Sequence, residues 1–154
     1  CGADCPFYDP ELIDLLVNIM KWGGYDYTAN DMKLTFPEGI DAHVIKYKAL
    51  EISAKEATDL KEREDTPRFI WNNPDRFRIF NLEAVPGSIL NRPDIRLTVD
   101  YEGDLQLTRK IYETLYKENP RFSTFDLIRF LDKHPDWISI NKHCKQRSAA
   151  YIHE

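Results

Sequence analysis

No apolar run in this 154-residue chain approaches the roughly 20 residues a membrane-spanning helix requires, so no membrane span is expected. Cysteine is scarce. Cys1, Cys5 and Cys144 are an odd number without a disulfide framework, and no second pair joins Cys1 and Cys5 to complete a zinc site. They read as free thiols in a reducing compartment, with the cytoplasm the expected location. Excess positive charge is missing too. The net charge is −5, which gives no electrostatic reason to expect nucleic acid as a partner. An initiating Met is also lacking: the chain opens on Cys1 with no signal peptide, and the expectation is a fragment whose beginning lies elsewhere.

What remains is the composition of a soluble globular protein, 42 % apolar and 31 % charged, with length for one domain and a proper core. The chain is organised around residues 94–105. Ile95, Leu97 and Val99 alternate with Arg96 and Thr98, the period of a half-buried strand. Leu105, Thr108, Ile111, Tyr112 and Leu115 then recur at helical spacing, predicting a helix over 102–117. Asp100 therefore falls where strand gives way to helix. Two readings stand: a carboxylate at the carboxyl end of a strand, where open α/β sheets bind ligands, or a helix cap supplied by Asp100 or a neighbour.

Elsewhere the pattern alternates. Asp9-Pro10-Glu11 starts a helix whose apolar positions run from Leu12 to Met20, closed by Gly23-Gly24. Strands are expected at 25–29, 42–47 and 77–82, and helices near 50–57 and 67–73. The charged stretch 58–66 reads as a solvated connection or helix face. Ser123 with Asp126 three residues on forms a capping box for a helix whose apolar side is Phe125, Leu127, Ile128, Phe130 and Leu131. A further turn is expected at 135–140. Strands alternating with helices argue for an α/β layer.

Three segments carry a resemblance. Gly2-Ala-Asp-Cys-Pro-Phe-Tyr-Asp-Pro-Glu-Leu-Ile-Asp resembles a G-D-C-P-x-x-D-P-x-x-I-D run, Trp71-Asn-Asn-Pro-Asp-Arg-Phe an N-P-x-R-F segment, and Arg96-Leu-Thr-Val-Asp-Tyr-Glu-Gly-Asp-Leu an R-L-T-V-D signature. Together and in this order they resemble the cytidylyltransferase-like proteins, particularly the type of spore-coat polysaccharide biosynthesis, and the acylneuraminate and 3-deoxy-manno-octulosonate cytidylyltransferases. The resemblance implies an α/β fold, the C-terminal portion of a nucleotide-diphospho-sugar transferase fold, with a mixed sheet flanked by helices. It implies residues 1–141 as a partial domain lacking the N-terminal phosphate-binding half, followed by a polar tail at 142–154. The implied activity joins CTP to a sugar acid, giving a CMP-sugar and pyrophosphate for cell-surface polysaccharide, with this chain an incomplete part that is inactive alone. The rival readings are a non-catalytic binding or structural remnant, and a glycosyltransferase using a nucleotide-sugar.

The implied cofactor is Mg²⁺, held by Asp4 and Asp100; two carboxylates with substrate oxygens and water suit that ion. The residues alone give Asp4 an equal alternative, a turn before Pro6. Arg96 shares a strand face with Thr98 and Asp100 and is a candidate contact to phosphate or sugar carboxylate, against an ion pair with a local acid. Pro37-Glu-Gly-Ile-Asp-Ala-His-Val resembles the family's P-x-G-L-D-V-E-V, making Asp41 a candidate substrate contact, against an ordinary turn residue. Members of the family commonly form homodimers. Three departures leave the sugar open: Asp65-Thr-Pro-Arg stands where His-Val-Thr-Pro is usual, His43 replaces Glu, and Thr98 takes a position that is Asp in sialic-acid-activating members. The family's Gly- and Arg-containing phosphate loop has no match in this chain.

Overall fold

The computed structural model describes residues 3–65 and 67–145. Within them the chain forms two compact units, one of residues 10–33 and 42–82, the other of 3–9, 34–41 and 83–145. Cys1, Gly2 and the tail beyond Lys145 lie outside the described residues.

The first unit holds a three-stranded mixed sheet. β1 (Tyr27–Ala29) is central, antiparallel to β2 (His43–Ile45) and parallel to β3 (Ile79–Asn81), in the order β2-β1-β3. All three β1 residues are buried, as expected of a central strand covered on both faces. Helix α1 (Pro10–Gly23) precedes the sheet and buries Leu16 and Met20; Thr28 Oγ1 donates to the Leu16 carbonyl at 3.1 Å. Gly24 has φ +65°, the left-handed conformation that ends a helix at low steric cost. The path from β2 to β3 runs through α2 (Tyr47–Glu56), α3 (Leu60–Glu64) and α4 (Arg68–Trp71). The charged stretch forms α3, which buries no residue, while α4 buries Phe69, Ile70 and Trp71 into a core with Tyr27, Ala49 and Phe77.

The second unit is helical around extended segments. α5 (Glu102–Ile111) passes directly into a π-helical turn at Tyr112–Tyr116, and α6 (Thr124–Asp132) and α7 (Pro135–Ile138) follow. The Ser123–Asp126 capping box forms as expected, Ser123 Oγ accepting the Asp126 N–H and the Asp126 carboxylate accepting the Ser123 N–H. The buried stripe of α6 is Thr124, Leu127, Ile128 and Leu131; Phe125 is 41 % exposed, one step off the stripe.

The central stretch departs from expectation. Residues 95–99 are extended but join no sheet: a single parallel bridge links Arg96 to Glu38, through Glu38 N–H to the Ile95 carbonyl (2.9 Å) and Leu97 N–H to the Glu38 carbonyl (2.7 Å). Nor is the stretch half-buried. Ile95, Arg96, Leu97 and Thr98 are all buried. Alternation misled because Arg96 and Thr98 find partners inside, so their polarity did not require solvent.

Candidate functional site

Asp100 ends this extended segment, two residues before α5. The cap of α5 comes from Asp104 rather than Asp100: its Oδ2 accepts the backbone N–H groups of Tyr101 (3.0 Å) and Asp100 (3.1 Å). The reading of Asp100 as the cap is thereby corrected, while that of a capping neighbour holds. Position decides it. Asp104 lies in the first turn, where a side chain can reach back over the unpaired donors at the helix start.

Arg96 joins the site together. Its Nε and Nη2 donate to the two carboxylate oxygens of Asp104 (3.0 and 3.1 Å), its Nη1 to Glu38 (2.9 Å) and its Nη2 to Asp100 (2.5 Å). The guanidinium, expected to face either a substrate anion or a local acid, is thus held by three protein carboxylates. Asn141 locks the arrangement from its far side, donating to Asp104 (2.8 Å) and to the Arg96 carbonyl (2.9 Å). Asp104 is fully buried and Asn141 nearly so.

The charges shape one another. Burial works to raise the Asp104 carboxyl, but Arg96, Asn141 and the two backbone N–H groups outweigh it and hold it below the ordinary carboxylate value. For Glu38 burial prevails: its carboxyl is raised, with Asp100 and Asp104 adding to the effect and Arg96 opposing it. Burial alone would lower the Arg96 guanidinium; its bonds to Asp104 and Asp100 and the charge of Glu38 keep it protonated. Glu38, Arg96 and Asn141 also border a cavity of about 450 Å³, large enough for a small molecule.

Asp4 meets this segment by its backbone. Its carbonyl accepts the Val99 N–H at 2.8 Å and the Thr98 hydroxyl at 3.3 Å, so Asp4 is tied to the residue before Asp100. The Asp4 side chain is exposed, touched only by the Cys5 thiol at 3.8 Å among the described residues. Asp100 is 19 % exposed, and its Oδ1 accepts no hydrogen bond among the described residues. Two carboxylates with uncommitted oxygens fit a hard oxygen-seeking cation such as Mg²⁺. The described residues contain no group of three or more His, Cys, Asp or Glu suited to a metal, so phosphate and water oxygens would complete such a site.

Two clamps fix the loop that carries Asp4. Tyr112 Oη donates to the Pro6 carbonyl (2.7 Å) with its ring stacked on Phe7, and the Thr124 N–H and hydroxyl donate to the Asp9 carboxylate (3.2 and 2.6 Å). Asp41 Oδ2 accepts the Gly39 N–H at 3.1 Å, a local turn that brings its charge near Cys5. Burial, then Asp4 and Asp41, push the Cys5 thiol up to about 12, so at neutral pH it is no thiolate nucleophile or ligand. Gly39 has φ +96°, and a Cβ there would fall 2.3 Å from the Thr98 nitrogen; only glycine lets the 37–41 loop lie against 97–98.

Glu38, Asp104 and Asn141 were not recognised in the sequence. Asp104 had a local signal, an acid in the first turn of a predicted helix; Asn141 had none.

An α/β unit with a mixed sheet and a helical unit carrying an acidic, arginine-braced extended segment define a chain similar in fold to a cytidylyltransferase. The solved cytidylyltransferase of Leptospira borgpetersenii matches with a TM-score of 0.76 and 25 % identity, over 96 % of this chain and 58 % of that one. By sequence the chain is 33 % identical to the spore coat polysaccharide biosynthesis protein SpsF of Bacillus subtilis, over 87 % of this chain and 54 % of that protein. It is likewise 33 % identical to an uncharacterized protein, MJ1063, of Methanocaldococcus jannaschii, over 99 % of this chain and 60 % of that one. The chain thus spans between half and two thirds of the length of these relatives. The matches support the resemblance to cytidylyltransferase-like proteins; they do not support its placement as a C-terminal portion. No protein-family model matches the sequence. No helix among the described residues is long and apolar enough to cross a membrane.

Proposed function

We propose that this chain contributes the acidic, metal-holding part of a nucleotidyltransferase that joins CTP to a sugar acid, giving a CMP-sugar and pyrophosphate for cell-surface polysaccharide. Asp4 and Asp100 are the residues that hold Mg²⁺ in this reading, and Asp41 is a second-rank contact to the sugar. The observation that carries the reading is the bond from the Val99 N–H to the Asp4 carbonyl, which couples the backbones that present the two carboxylates. Arg96 is a positioning residue: it braces Asp100 through Nη2 while Asp104 and Glu38 hold the guanidinium.

When bound, the metal neutralises triphosphate charge and favours in-line attack at the α-phosphorus. The sugar hydroxyl oxygen forms the new bond to that phosphorus, the bond to the β-phosphate oxygen breaks, and pyrophosphate leaves. The reaction requires no covalent protein nucleophile, and Cys5, protonated near neutral pH, is unsuited to such a role. The phosphate-cradling loop of such an enzyme has no counterpart in the 154 residues, so these residues alone bind CTP weakly in this reading.

The test is product analysis on the native protein that carries this chain. With CTP, Mg²⁺ and a panel of sugar acids it should release pyrophosphate and form a CMP-sugar. Asp100→Asn should abolish turnover while leaving the circular dichroism spectrum unchanged. Release of a free nucleotide from a nucleotide-sugar, without pyrophosphate, would assign glycosyl transfer instead.

A further inference from the structure

Polar groups of buried side chains normally have hydrogen-bond partners, and two beside the cavity of the helical unit leave an acceptor uncommitted. Asn141 is 2 % exposed, and its Nδ2 donates to the Arg96 carbonyl (2.9 Å) and to the Asp104 carboxylate (2.8 Å). Both partners are acceptors, so the amide faces only one way round. Its Oδ1 is left with no hydrogen bond among the described residues. Glu38, its side chain 11 % exposed, gives Oε1 to Arg96 Nη1, and its Oε2 likewise accepts nothing among the described residues. The two residues are neighbours through Arg96, which Glu38 grips at the guanidinium and Asn141 at the backbone carbonyl. Both line the same cavity of about 450 Å³, a volume in the range of small-molecule sites. All of its lining residues belong to the one compact unit.

We propose that this cavity binds a small zwitterion, a free amino acid, with its ammonium against Glu38 and Asn141 and its carboxylate toward Lys142. The charges around the cavity select this class. Glu38, Asp100 and Asp104 share the single guanidinium of Arg96, so a positive group beside Glu38 offsets an excess of buried negative charge. An ammonium supplies that charge and has three N–H donors for the two uncommitted oxygens. A neutral hydroxyl supplies a donor without the charge, and a ligand carboxylate would be repelled by Glu38. Of the cations on the cavity, Arg96 is spent on its three acids, and Arg92 on Asp94 and Asp132. Lys142, exposed at the rim, has no hydrogen bond or ion pair among the described residues, and it is the partner for a carboxylate. Pro135 and Ile138 add apolar wall for the carbon skeleton. The site needs neither metal nor nucleotide and does not rest on the reading of Asp4 and Asp100.

The experiment is a calorimetric titration of the native protein that carries this chain, without metal or CTP, against the proteinogenic amino acids one at a time. An amino acid that binds is then compared with its decarboxylated amine and its deaminated acid. The expected result is saturable binding of at least one amino acid, at least tenfold tighter than either analogue, with the Asn141 side-chain amide signals of the ¹⁵N-labelled protein shifting in step. Glu38→Gln keeps an oxygen for Arg96 and removes the charge; it should weaken amino-acid binding at least tenfold. Lys142→Met, at an exposed position, should weaken the amino acid and leave the amine unchanged. If Glu38→Gln loses its circular dichroism spectrum, Lys142→Met and the analogue pair still decide. Saturable binding of no amino acid, or equal binding of the deaminated acid, would overturn the proposal. So would binding that persists undiminished in either folded variant or leaves the Asn141 signals fixed.

Discussion

Replacing Arg96 by Met tests the brace around Asp100 directly. Arg96 makes at least four charge-assisted hydrogen bonds to Asp104, Glu38 and Asp100, and its side chain is only 9 % exposed. Such bonds contribute roughly 1.5–3 kcal/mol each in favourable cases. Their sum overstates the loss, because desolvating the guanidinium is itself costly and orphaned carboxylates can take up protons. The deficit worked from a broken buried pair is about 3–5 kcal/mol near pH 7. Its pH dependence follows from the shifts. Asp104, depressed in the fold, contributes stability above its unfolded value that is lost as pH falls through its folded value. Glu38, raised in the fold, costs stability when ionised, and that cost is relieved as pH falls through its folded value. Without Arg96 the Asp104 and Glu38 carboxyls lose the guanidinium that opposes their protonation, so the gap between variant and wild type should narrow from about pH 7 to about pH 4. Urea denaturation followed by far-ultraviolet circular dichroism at both pH values measures it. A variant as stable as wild type near neutrality, or a deficit that stays constant on acidification, would refute the reasoning.

Gly39→Ala should cost at least about 1–3 kcal/mol, because φ is positive and the new Cβ would strike the Thr98 nitrogen; an unchanged thermal midpoint would contradict this. Tyr112→Phe keeps the ring against Phe7 and loses the bond to the Pro6 carbonyl, at about 1 kcal/mol. Hydrogen exchange over residues 3–9 should quicken, and protection equal to wild type would remove Tyr112 as a clamp. Cys5, its thiol raised to about 12, should alkylate much more slowly than free cysteine near pH 8, read by peptide mass mapping. Equal rates would show the thiol to be unburdened by burial and the nearby acids.

Local rules carried much of the fold into the sequence. Asp9-Pro10 and Gly23-Gly24 bound α1, Ser123 and Asp126 begin α6, and Asn73-Pro74 follows α4, because caps and prolines act within a few residues. Asp100 at the junction of extended chain and helix was legible for the same reason. What was not legible depends on distant partners. Arg96 reads as an outward polar residue until Glu38 and Asn141 bury it, and those residues lie 58 and 45 positions away. The π-helical turn at Tyr112–Tyr116 leaves no mark on apolar spacing, since it changes the phase of a helix whose period is already present.

The central claim is that Asp4 and Asp100 share one divalent cation, and paramagnetic Mn²⁺ in place of Mg²⁺ tests it most directly. Titrated into the ¹⁵N-labelled native protein that carries this chain, with CTP present, Mn²⁺ should broaden the amide signals of Asp4, Val99 and Asp100 before others. Excess Mg²⁺ should reverse the broadening, and both Asp4→Asn and Asp100→Asn should abolish it. Broadening centred elsewhere, or undiminished in either variant, would contradict the shared site and the function built on it.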